Sequence, residues 1–353
     1  MFWYILLAIL PSLLGLLYGI NGYDLEKKHH KKSYVFLCSA AIFFMIAFRN
    51  QSVGSVDSST YYSLWETASG LNFAQFSTVT AGSSMEFGFL IFVWLFSRLF
   101  SSAQMLFILS GFFFAVSIGC YMYKYCCNPV LGYTMYITLG LYTFTAQGLR
   151  QAIAMSICLF TIEFARKRKF LQFVLLILLA ATFHRSAILF LVIYFMYGKR
   201  VKSVWSVIIF AMYGIWLLLT DSIMALGNLI FDRNYQGTVE SGGTIAVIIY
   251  LLIIVCGFLF VPKDRSDDEF SLFMFITSLG CCIYLMRYVG VQAAERVSFY
   301  FMYGQIILLP AIFDNFNIRS RTLANICVIG ACIILFYYRL GSSRLVPYLF
   351  FWQ

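Results

Sequence analysis

Charged side chains are scarce: they make up 11% of the 353 residues, with 15 carboxylates and 3 histidines. An ordinary soluble domain carries about a quarter charged residues, so a soluble globular chain is excluded. No segment is long enough, between its apolar stretches, to form a separate soluble domain, and no internal repeat is visible. The ten cysteines are scattered mainly through apolar stretches, as Cys38, Cys158, Cys256 and Cys327 are. They form neither a CxxC pair nor a Cys/His cluster and read as small buried hydrophobes, so zinc is not implied. Glycine-rich phosphate loops and a nucleophile elbow are also lacking. Their absence removes nucleotide-sugar enzymes with a nucleotide-binding fold, ATPases and serine hydrolases.

What is there in quantity is apolar: 61% of residues are hydrophobic and 19% aromatic. Stretches near the ~20 residues that a membrane helix needs recur from end to end. The expected fold is therefore an all-α polytopic membrane protein forming one domain over residues 1–353. The first stretch, Phe2 to Ile20, has no basic region before it and no small-residue cleavage site, which argues for a retained span with its N-terminus outward. A net charge of +10 would point to nucleic acid in a soluble protein. Here the bases sit in short connectors, Lys27 to Lys32, Arg166 to Lys169, Lys199 to Lys202, Lys263 with Arg265, and Arg319 with Arg321, where the positive-inside rule places them in the cytoplasm. No nucleic-acid partner is expected.

By alternation the outer face receives the connectors 49–85, 221–243 and 287–296, the turn at His184, and the tail after Tyr338. The apolar blocks number about thirteen, and the basic connectors all fall inside only if one block between Glu86 and Arg150 does not cross. Leu131 to Gln147, with Thr138, Gly140, Thr143 and Thr145, suits a kinked or re-entrant segment there. About twelve spans result, with fourteen as the alternative. The Gly/Ser/Thr-rich composition of Gln51 to Ser84 predicts an irregular connector, although Thr60 to Trp65 mixes aromatic and polar groups like an interfacial helix.

Two half-polar seams interrupt the apolar blocks: Gly148 to Ala154, opening one helix, and Ala180 to Ser186, closing the next. Ionisable groups at such places are costly in a membrane, which points to function. Arg150 opens a helix, where free N–H groups and the dipole favour an anion. His184 sits at a helix C-terminus, where the dipole favours its protonated form. The densest acidic group, Asp264, Asp267, Asp268 and Glu269, reads as a solvated cytoplasmic linker, and no metal is expected.

Five short elements occur in register. They are Arg49 with Val53-Gly54 and Asp57, followed by Tyr61 and Tyr62; Glu86-Phe87-Gly88-Phe89; Arg150-Gln151 with Ala154; Phe183-His184-Arg185-Ser186-Ala187; and Glu295-Arg296 with Tyr300. Over nearly its whole length the chain resembles the EpsG-type family of Wzy-like polysaccharide polymerases. One departure is Val56 before Asp57, where that family commonly has a small polar residue. The resemblance implies a helical fold similar to the GT-C glycosyltransferases and a site on the extracytoplasmic side of a bacterial inner or plasma membrane. It also implies glycosyl transfer between polyprenyl-diphosphate-linked oligosaccharides, without a cofactor, and a chain-length regulator as a further partner.

On that reading Arg49, Arg150 and Arg296, with Gln151, bind the diphosphate, because arginine's planar fork matches phosphate and can replace a metal. His184 either donates to the diphosphate or accepts the proton of the attacking hydroxyl. Asp57, Glu86 and Glu295 are the alternative bases, with Glu295 open to simple pairing with Arg287 or Arg296. Tyr61, Tyr62, Trp65 and Tyr300 are placed to stack on sugars, and Glu86 to bind substrate. Direct displacement predicts inversion. The competing readings are a ligase of the same chemistry and a flippase for the same lipid-linked unit.

Overall fold

The computed structural model describes residues 1–18, 28–54, 56–199, 243–260, 268–289, 292–341, 343 and 345–353, with scattered positions between 211 and 229. Most of the 221–243 connector, together with Lys263, Asp264, Arg265 and Asp267, lies outside the described residues. Helices account for all regular structure among the described residues, and the extended pairing is a single antiparallel bridge between Arg49 and Phe350. The chain divides into two compact units. One comprises Met1–Thr161, Leu171–Ile188 and Ile326–Gln353, the other Ile162–Phe170 and Leu189–Asn325.

The first unit contains α1 (Phe2–Leu17), α2 (Lys28–Ala47), α3 (Val56–Gly70), α4 (Phe73–Thr80), α5 (Phe87–Leu99), α6 (Gln104–Tyr125), α7 (Pro129–Thr138), α8 (Leu141–Gln147), most of α9 (Leu149–Arg166) and nearly all of α10 (Phe170–Phe183). Helices α2 and α6 lie against each other because α6 presents glycine at the contact. A Cβ on Gly119 would stand 2.8 Å from Ser39 Oγ, and one on Gly111 would stand 3.3 Å from Ile46 Cγ2. Small residues that let backbones approach are how membrane helices associate when no water is expelled. The buried Ser39 hydroxyl in turn meets the Tyr133 hydroxyl at 2.7 Å, joining α2 to α7. Between α7 and α8 the chain breaks at Gly140, which takes φ +106°, a conformation open to glycine at no steric cost. The break falls inside the Leu131–Gln147 block.

The 49–85 connector is less irregular than expected: Thr60 to Trp65 lies in the longer helix α3, and α4 follows. Ser58, Tyr61, Trp65 and Ala68 recur at helical spacing and are all buried, so a polar-looking segment has one apolar stripe. Helix α4 opens with a capping box, in which the Asn72 side chain accepts from Gln75 N–H at 3.0 Å and the Gln75 side chain accepts from Asn72 N–H at 3.1 Å.

The second unit is built around α13 (Asp268–Leu285), which packs with α11 (Val192–Met196), α12 (Thr244–Leu259), α14 (Gln292–Met302) and α15 (Gln305–Asp314). Helices α14 and α15 are bent by 41° across a break that contains Gly304. A side chain there would meet Thr277 Oγ1 at 2.7 Å and the Phe273 carbonyl at 3.0 Å, so the bend lies tight against α13. The last helix, α16 (Ile318–Leu340), starts in this unit and ends in the first.

Three helices among the described residues are long and apolar enough to cross a membrane: Gln104–Tyr125, Asp268–Leu285 and Ile318–Gly341. The bent pair makes a fourth if it is one span. Against the expected twelve, other apolar blocks are folded into shorter helices, such as the 13 residues of α5 and the 14 of α10, below the ~20 that one straight crossing requires.

Candidate functional site

Four of the five sequence elements meet at one ion pair, Glu86 with Arg150. Glu86 is the N-cap of α5, and its side chain is 8% exposed. Its Oε2 accepts from Arg150 Nη1 at 2.6 Å, and its Oε1 accepts from the backbone N–H of Arg185 at 3.4 Å. Arg150, the second residue of α9, also donates from Nη1 to the Ser84 carbonyl at 3.2 Å and from Nε to the Tyr61 hydroxyl at 3.3 Å. The guanidinium is thus held on two of its nitrogens. Nη2 makes no hydrogen bond among the described residues, and the side chain is 17% exposed, so one corner of the fork stays open to an anion.

Each neighbour is positioned by its own local chemistry. Tyr61 is buried in the apolar stripe of α3, with its ring 5.2 Å from that of Phe89 on α5. Burial pushes its phenol above the ordinary range, against the opposing pull of Arg150. Gly88, the second residue of α5, is required by the contact with α10: a Cβ would lie 2.2 Å from Thr182 Oγ1 and 2.8 Å from the Thr182 carbonyl. That approach brings the start of α5 to the end of α10. Helix α10 ends at Phe183, and His184 follows, its N–H donating to the Ala180 carbonyl at 3.0 Å. His184 Nδ1 lies 2.7 Å from Ser186 Oγ, which fixes the ring. Asp57 is half-buried in the first turn of α3, one turn before Tyr61.

Arg49 stands apart from this network and is enclosed. It is 1% exposed. The residue's backbone pairs with Phe350, and the neighbouring Asn50 N–H donates to the Leu349 carbonyl at 2.8 Å. The Gln104 side chain, from α6, donates to the carbonyls of Ala47 and Arg49 at 2.7 and 3.0 Å. The guanidinium lies 4.6 Å from the Phe107 ring centroid and donates from Nη1 to the Val53 carbonyl at 3.1 Å. Its Nε and Nη2 are buried and make no hydrogen bond among the described residues. Burial lowers its pKa to about 10, opposed by the nearby phenols of Tyr4, Tyr142, Tyr348 and Tyr61, so it stays charged at neutral pH. The side chain fits beside Gly54, whose φ of +116° and missing Cβ leave room: a Cβ would stand 2.8 Å from Arg49 Nη1. This is the physical content of the Val53-Gly54 element.

Gln151 is buried, at 3% exposure. The fifth element lies in the second unit and is described by itself. Glu295, on α14, accepts from Arg287 Nη1 at 3.0 Å, and the same nitrogen donates to the Tyr284 hydroxyl at 2.7 Å. Arg287 is thus the partner of Glu295. Arg296 is exposed, and Tyr300 is buried. Of the acidic group expected in a solvated linker, Asp268 and Glu269 instead form the first turn of α13, and Glu269 pairs with Arg166 at 3.1 Å.

Sequence reasoning missed Tyr4, Tyr142 and Tyr348 around Arg49, Ser84 and the backbone of Arg185 at the network, and Gln104. The signal for Gln104 was available as a lone amide among the apolar residues at the start of α6.

The sequence model of the EpsG family matches residues 32–350, and the chain belongs to that family, whose members are of the Wzy-like, exopolysaccharide-polymerase type. No curated protein and no solved structure matches it.

Proposed function

We propose that this EpsG-family chain is a membrane glycosyltransferase of about twelve spans, similar to the GT-C enzymes, acting as one domain at the outer face of a bacterial plasma or inner membrane. It joins polyprenyl-diphosphate-linked oligosaccharide units into a surface polysaccharide. The observation that carries the reading is the Glu86–Arg150 pair, because it gathers residues of four family elements around one cation and one carboxylate.

The chemistry asks for that pairing. When the bond between sugar and diphosphate breaks, negative charge develops on the leaving oxygen, and a preorganised guanidinium is worth most where it meets that charge. Arg150 offers its remaining corner, with Tyr61 and Glu86 holding its plane. The attacking hydroxyl needs an acceptor for its proton, which Glu86, Asp57 or His184 can supply. Attack opposite to the departing diphosphate inverts the anomeric carbon.

Purified protein in vesicles, given one defined lipid-linked repeat unit, is expected to yield a ladder of chains. Transfer of single units to a different acceptor would make it a ligase. Movement of the lipid across the vesicle with no new bond would make it a transporter and overturn the reading.

A further inference from the structure

We infer that the cavity beside Glu86 is the subsite for the acceptor sugar, and that Glu86 takes the proton of the attacking hydroxyl. The inference rests on the glycosyl-transfer reading above. The cavity measures about 460 Å³ and lies among α4, the 81–86 segment, the start of α5 and the end of α10. That is within the ~300–1,000 Å³ usual for small-molecule sites.

Its wall suits a neutral polyol. Four hydroxyls line it, those of Ser77, Thr80, Ser83 and Thr182, together with the Glu86 carboxylate, Arg185 and the 63%-exposed ring of Phe87. Thr80 donates its hydroxyl proton to the Phe76 carbonyl at 2.8 Å and Thr182 donates its proton to the Leu179 carbonyl at 2.7 Å, so both oxygens keep lone pairs for sugar hydroxyls. A diphosphate would find one cation here, set beside a carboxylate of its own sign. Hydroxyl walls with an exposed ring fit a sugar better.

Glu86 belongs to this wall, and Arg150 does not. The carboxylate therefore stands between the cavity and the guanidinium. Its Oε2 is engaged by Arg150 at 2.6 Å, while Oε1 takes only the long 3.4 Å N–H of Arg185 and has capacity left. Among the described residues Glu86 is also the sole carboxylate on the cavity wall. In the step, an acceptor hydroxyl oxygen bonds to the anomeric carbon and its proton passes to Glu86 Oε1. The bond from that carbon to the diphosphate breaks, and its electron pair leaves on the diphosphate beside Arg150.

The test uses full-length protein in vesicles with a defined lipid-linked donor and a soluble oligosaccharide acceptor of the same repeat, so that each KM is measured separately. Ser77 is exposed, and Ser77→Trp fills the cavity from its rim without entering the core. It is expected to raise the acceptor KM tenfold or more, about 1.4 kcal/mol, and to leave the donor KM unchanged. Glu86→Gln keeps the shape of the side chain and removes the base. It is expected to lower kcat about 10²–10⁴-fold with an acceptor KM near wild type. Wild-type acceptor KM in Ser77→Trp, or wild-type kcat in Glu86→Gln at equal protein amount, overturns the inference. Failure of the wild-type chain to form any glycosidic bond instead overturns the function proposed above.

Discussion

Arg150 and Glu86, 64 positions apart, share a 2.6 Å contact at the starts of two different helices, α9 and α5. The pair sits where both helices expose unpaired N–H groups, and it ties a cation that favours a phosphate to a carboxylate that favours a hydroxyl.

Arg150→Lys keeps the charge and loses the fork that reaches Ser84, Glu86 and Tyr61 together. It is expected to fail nearly as badly as Arg150→Ala, with transfer down about 10²–10³-fold. Arg150→Ala also strands the Glu86 carboxylate, so its amount in the membrane falls, by the several-kcal/mol penalty (about 3–5) of a buried charge left alone. Arg150→Ala with Glu86→Gln restores the amount and not the activity. Polymer length by gel and membrane amount by immunoblot separate the two effects. Wild-type chain length in Arg150→Ala at equal expression would remove Arg150 from the site.

Gly88→Ala forces a methyl group to 2.2 Å from Thr182 Oγ1 and 2.8 Å from the Thr182 carbonyl. Overpacking of this kind costs about 1–3 kcal/mol. Thr182→Ala on top of it is expected to recover little, because the carbonyl stays. Thermal unfolding of the detergent-purified variants measures this, and a fully rescued double variant would count against the backbone contact.

Tyr348 donates to the Met45 carbonyl at 3.2 Å, and its ring stands 5.5 Å from that of Tyr4. Tyr348→Phe is expected to cost about 0.5–1.5 kcal/mol. Tyr348→Ala opens a cavity beside the Arg49 guanidinium, at about 3–5 kcal/mol, and shortens the polymer. Equal melting temperatures for the two variants would contradict the account.

The helical periods, the place of Arg150 at a helix start and the helix-end place of His184 were legible in the sequence, because each depends on neighbours within a turn or two. Helices α3 and α4 were obscured by their Ser and Thr residues. Only the burial of Tyr61, Trp65 and Ala68 at helical spacing exposes the stripe. The setting of Arg49 was illegible for a different reason. Its backbone partner is Phe350, and no local pattern encodes a contact across that distance. The sequence offers Glu86 as a substrate residue and as one of the alternative bases. That its carboxylate joins Arg150 to the Arg185 backbone follows from packing through Gly88.

By the positive-inside rule Lys167 is expected in the cytoplasm and the His184 turn outside. Single cysteines at these places, on a background free of the native ten, are expected to divide accordingly. A residue-185 cysteine should react with an impermeant reagent in intact cells, and a residue-167 cysteine only after lysis. The reverse pattern would put the site on the wrong side of the membrane.

If arginine supplies the positive charge for the departing diphosphate, polymerisation is expected to continue in EDTA. Activity lost in chelator and restored by Mg²⁺ or Mn²⁺ would assign that charge to a metal ion.

The bridge between Arg49 and Phe350 also sets an order of assembly. Tyr348 and Met45, which close the same clasp, are separated by 303 positions. At the biosynthetic pace of ~5–20 residues per second, the helices before Arg49 are made well before the strand partner that covers it. Until residues 345–353 arrive, the Arg49 backbone lacks its bridge and the guanidinium lacks the Tyr348 phenol near it, and closing so long a loop is paid for in chain entropy only at that moment. A ribosome stalled short of Tyr348 would therefore leave in the bilayer a chain with its helices made and this arginine unclasped.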